Sequence, residues 1–62
     1  MTQEQKKHLD EIVDSVENIH RLLLLLEPKN DEQTITQAAS QKTLSDFEKY
    51  ELHELRRAFE DS

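Results

Sequence analysis

Leu9, Ile12, Val16, Ile19, Leu23 and Leu26 recur at alternating intervals of three and four, and Pro28 follows two residues after the last of them. That spacing puts six apolar side chains in one a/d line along a helix for almost three heptads. Pro28 disfavours the α conformation at Glu27, so the helix is expected over about residues 3–27. Thr2 followed by Gln5 marks its start: the hydroxyl accepts from a free backbone amide while the glutamine reaches back to the cap. At ~1.5 Å per residue this helix is roughly 37 Å long. Val13 and Leu22 widen the line on either side. Leu24 and Leu25 point elsewhere, so the run Leu22–Leu26 needs more than one partner surface.

A seam of this kind cannot bury itself, and the rest of the chain offers little to cover it. The protein has 62 residues, room for one small domain. Single cores below ~70–80 residues rarely supply more than ~3–5 kcal/mol unless disulfides, a metal or self-association add to them. Cys is absent, which removes disulfides, cysteine-ligated zinc, iron–sulfur clusters and thiol catalysis. Gly is absent as well, which removes glycine-rich phosphate loops and the nucleophile elbow. Self-association is the remaining source of a core, and a homodimer or higher oligomer is expected.

The remainder of the chain changes character twice. Residues 28–43 are polar apart from Ile35, Ala38 and Ala39, and read as a linker. Asn30 with Gln33 offers a start for a short helix there, although Thr34, Ile35 and Thr36 are β-branched and lower its propensity. A second helix is expected over about 44–60. Ser45 with Glu48 resembles a capping box, and Phe47, Leu52, Leu55 and Phe59 form its apolar stripe. One uninterrupted helix from Asn30 onward is the competing arrangement. Ile35 projects roughly opposite to Leu44 and Leu55 at ~100° per residue, which favours a break near Ser40–Thr43. The expected fold is all-α, an antiparallel helical hairpin of residues 1–62 that pairs with a second hairpin as a four-helix bundle. Its self-association surface is drawn from the seam and the stripe.

Charge carries the functional reading. Fourteen acidic against eight basic residues give a net charge of −6. This argues against direct nucleic-acid binding and against an anionic membrane surface. The longest apolar run is Leu22–Leu26, far short of the ~20 residues of a membrane span, and the expected location is cytoplasmic. Asp10, Asp14 and Glu17 form an acidic strip on the outer side of the first helix. Their axial spacing of roughly 5–6 Å, set by the ~1.5 Å rise, is close to that of successive phosphates. Such a strip suits a basic, nucleic-acid-binding protein as partner. Glu48 and Glu51 fall between apolar positions of the second helix. Buried without a base they would cost several kcal/mol, so they face solvent, meet a base such as His20, His8, Lys42 or Lys49, or await a partner's cation.

Two further constellations bear on chemistry. Glu17-x-x-His20 has the i, i+3 spacing of carboxylate-bridged di-metal bundles, with Glu51 as the further ligand a dimer would bring. Glu17 lies far round the helix from the seam, and pairing with Arg21 at i, i+4 explains it more simply. No cofactor is expected. His8, His20 and His53 make no ligand set, and nothing supplies an oxyanion hole, so an enzyme is not expected. The leading expectation is a small acidic interaction module acting stoichiometrically as regulator or inhibitor of a protein partner. Candidate partner contacts are Asp10, Asp14, Glu17, Leu24, Leu25, Glu48 and Glu51. The alternatives are an oligomerisation or assembly-chaperone subunit and, remotely, a di-metal bundle.

Overall fold

The capping signal at the N-terminus is realised in the computed structural model, which describes residues 1–60. Thr2 Oγ1 accepts from Gln5 N, and Gln5 Oε1 accepts from Thr2 N, both at 3.0 Å. From there α1 runs over Gln3–Leu25. It stops where the proline predicts, with Leu26 extended at φ −70°, ψ 129°, because Pro28 and the residue before it cannot continue the turn. A second arm then returns antiparallel to α1. It comprises α2 (Asp31–Asp46), a π-helical turn (Phe47–Glu51) and α3 (Leu52–Glu60). Contacts across the arms fix their direction: Gln37 reaches Leu23, Gln41 reaches His20 and Arg56 reaches Asp10. The protein is an all-α helical hairpin.

The second arm departs from the sequence expectation in its extent. Residues 31–43, read as linker, are helical, and the connection shrinks to residues 26–30. Asn30 is the reason at the start: its side chain accepts from Gln33 N at 2.8 Å, while Gln33 Oε1 accepts from Lys29 N at 2.6 Å. Asp31 and Glu32 add acids to the first turn, favourable to the helix dipole. The threonines are accommodated by returning their hydroxyls to the carbonyl four residues back, Thr34 to Asn30 at 3.1 Å and Thr43 to Ala39 at 3.0 Å. No break falls at Ser40–Thr43. For the same reason the Ser45/Glu48 capping box does not form, since the helix passes through it.

Ile35, whose phase argued for a break, is simply left in solvent at 69% exposure. The phase of the C-terminal stripe is corrected in the π turn. In an uninterrupted α-helix Leu52 would stand about 80° round from Leu44, at ~100° per residue. Instead the Leu52 N–H donates to Phe47 O, five residues back, and the wider turn takes back most of that rotation. Leu52 is thereby turned in and buried, at 6% exposure.

Among the described residues Leu9, Val16 and Leu52 are buried. Ile12, Val13, Leu23, Leu44, Phe47 and Phe59 are half-buried around them. The backbone measures 47 × 17 × 9 Å, a single layer of two arms. Its radius of gyration of 14.6 Å exceeds the ~10.6 Å of a compact chain of this length. No helix among the described residues is long and apolar enough to cross a membrane.

Candidate interaction surfaces

Three surfaces follow from how the arms meet. Between them lies a polar crossing. His20 sits one position off the seam, so packing of α2 on α1 turns its ring inward, to 24% side-chain exposure. Its Nδ1–H donates to Gln41 Oε1 at 2.7 Å, and its Nε2 lies 3.5 Å from Glu48 Oε1. The second contact becomes an ion pair when the ring is protonated. Glu48 therefore meets one of the bases expected for it and is half-buried, while Glu51 is exposed. The other end of the Gln41 amide, Nε2, is buried with no hydrogen-bond partner. Near the turn, Gln37 Nε2 donates to Leu23 O at 2.6 Å and Leu26 O at 2.9 Å. The Leu23 carbonyl also accepts from Leu26 N at 3.2 Å, so Gln37 adds a second donor there and ties the cap residue Leu26 to the second arm.

The second surface is the acidic edge of α1. Asp10, Asp14 and Glu17 are all exposed. Arg56 of α3 engages Asp10 at 3.4 Å. Asp14 and Glu17 have no cationic partner among the described residues, because Arg21 donates to Asn18 Oδ1 at 2.7 Å rather than pairing with Glu17. His8 stands exposed, 3.8 Å from the carboxylates of both Glu4 and Glu11.

The third surface is apolar. Of the seam and stripe residues, Leu9, Val16 and Leu52 close the hairpin, whereas Ile19, Leu22, Leu26 and Leu55 are exposed, as are Leu24 and Leu25 beside them. Leu24 is the most open of them at 72%. One hairpin thus covers Leu9, Ile12, Val16 and, in part, Leu23 of the line that the heptad spacing lays down, and leaves Ile19 and Leu26 near the turn uncovered. Gln37, Gln41 and Arg56 are structural contributors that pattern reading passed over. A polar residue reaching across to another helix leaves no mark in periodicity, and only the antiparallel register pairs it with its target.

No group of three or more His, Asp or Glu side chains converges on a metal-sized point among the described residues. Glu17 lies in solvent and His20 turns to α2, so the pair with i, i+3 spacing does not share a direction. What the surfaces define is an acidic helical hairpin with one charged edge and one uncovered apolar side. Compared with known proteins, the chain matches no family model, no curated protein and no solved structure.

Proposed function

We propose that this chain is a protein-interaction module that acts stoichiometrically, as regulator or inhibitor of a basic macromolecular partner. A nucleic-acid-binding protein is the most concrete form of that partner. The observation that carries the reading is the acidic edge: Asp14 and Glu17 are exposed one turn apart, with no cationic partner among the described residues. A cationic groove that meets such an edge exchanges its phosphate contacts for carboxylates, and steering by opposite charge raises the rate of encounter.

The test is the double reversal Asp14→Lys and Glu17→Lys, which leaves the Asp10–Arg56 pair in place. Capture from a lysate of the native host should recover a basic protein with the wild-type chain and lose it with the variant, while the helical circular dichroism of the two is the same. Capture that survives the reversal overturns the acidic-edge reading.

A second reading, an oligomerisation or assembly subunit, is favoured by the exposed Ile19, Leu22 and Leu26. It predicts that loss of function follows Ile19→Asp and that the charge reversals are silent.

A further inference from the structure

On the side away from the acidic edge, α1 and α2 frame a shallow open groove. Ile19 stands on one side of it, with Thr36, Ala39, Ser40 and Thr43 opposite. The groove continues toward the turn, where Leu26 faces Thr36 and Ser40. Leu22, three residues from Ile19 and four from Leu26, completes a ridge with them on α1. At the ~100° helical step this ridge lies roughly 145° round α1 from Asp10, Asp14 and Glu17.

We infer that a second copy of this chain occupies this side. The Ile19–Leu22–Leu26 ridge of each copy is seated in the groove of the other about a two-fold axis. The area points to a cover of this size. The chain exposes 5085 Å², whereas a folded monomer of 7.4 kDa ordinarily exposes about 4,200 Å². The surplus of roughly 900 Å² per chain is what one partner contributes to a standard interface, about 800 Å². Charge selects the occupant. A chain of net charge −6 repels its own copies, and two copies meet at least cost where charge is sparse. The groove lining around Ile19 contains no ionisable side chain, and charges enter only at the turn, at Glu27, Lys29 and Glu32. A basic partner would instead be drawn to the opposite edge. Shape agrees: a ridge beside a groove on one face is self-complementary under a two-fold, as an isologous interface requires.

The inference is independent of the acidic-edge reading, because it concerns the other side and its experiment reads only the oligomeric state. Sedimentation equilibrium across the micromolar range should show a dimer. Ala39→Glu places a charge in the groove at an exposed position that does not pack between the arms. It should weaken dimerisation by at least about tenfold, close to 1.4 kcal/mol, with helical circular dichroism unchanged. The absence of cysteine allows a second measurement. A Leu22→Cys chain mixed with a Thr36→Cys chain should form the mixed disulfide under mild oxidation, and an Asp14→Cys chain mixed with Thr36→Cys should not. A monomer at every concentration, a dimer indifferent to Ala39→Glu, or equal cross-linking from Asp14→Cys would each overturn it. In the first case the groove is left for a different protein.

Discussion

Among the described residues, His20 holds the one hydrogen bond that the Gln41 carboxamide makes between the arms, and the opposite end of that amide is already orphaned. His20→Ala therefore strands a polar group inside a thin structure, at a cost of about 1–3 kcal/mol. For a chain of this size that is a fall in Tm of several degrees, at ~4–8 °C per kcal/mol, readable by thermal circular dichroism. Glu48→Gln should be much milder. Its contact with His20 is partly exposed, and such pairs contribute about 0–1 kcal/mol. Equal losses from the two substitutions would show that the carboxylate, rather than the amide, holds the crossing. Asn30 acts at the same scale. Its side chain starts α2 where pattern reading left a linker, so Asn30→Ala should cost ~1 kcal/mol and fray the first turn of α2, visible as faster amide exchange near Gln33.

At the scale of elements, the π turn reconciles two apolar registers in one continuous arm. A π turn accommodates one extra residue in an α-helix, and Lys49 and Tyr50 within it are exposed. Deleting Lys49 should convert the turn to regular α-helix and keep Leu44, Phe47 and Leu52 on one side. Deleting Ala38 from α2 rotates Gln37 away from Gln41 and Leu44 by about 100°. The first deletion should leave Tm within a few degrees, and the second should unfold the hairpin at ambient temperature. Equal damage from both would show that the π turn does not set the phase.

This is also where sequence reading fell short. The helix α1 was legible end to end, because its seam, cap and proline are local signals. The extent of α2 was not. Its segment has almost no apolar periodicity, and it is held by Asn30, by threonine hydroxyls and by glutamines that reach the other arm. A break inferred from the phase of Ile35 assumed that Ile35 is buried on the side of Leu44, whereas it stays in solvent at 69% exposure. Of the candidate contacts, the meeting of Glu48 with His20 was among the options that the sequence left open. The Asp10–Arg56 pair was not, since it joins residues that only the register brings together.

At the scale of the whole molecule, charge and apolar area pull in opposite directions, and salt separates them. Added salt screens the repulsion between copies of net charge −6 within a Debye length of ~10 Å at 0.1 M. Self-association should therefore tighten as ionic strength rises, whereas capture of a basic partner on the acidic edge should weaken. Sedimentation and affinity capture along one salt series would show opposite slopes. Parallel slopes would mean that both events use the same face.

The single layer of 9 Å bears on how long a molecule of this protein persists. A structure one hairpin thick shields little beyond Leu9, Val16 and Leu52, so separation of the arms exposes the backbone of both to proteases. When opening and closing are fast, cleavage follows the fraction of molecules that are open. Anything that binds only the folded form lowers that fraction by mass action. The dimer proposed for the Ile19–Leu26 side would thus make turnover depend on abundance: dilute chains should be cleaved faster than chains above their association threshold, readable by limited proteolysis across a concentration series.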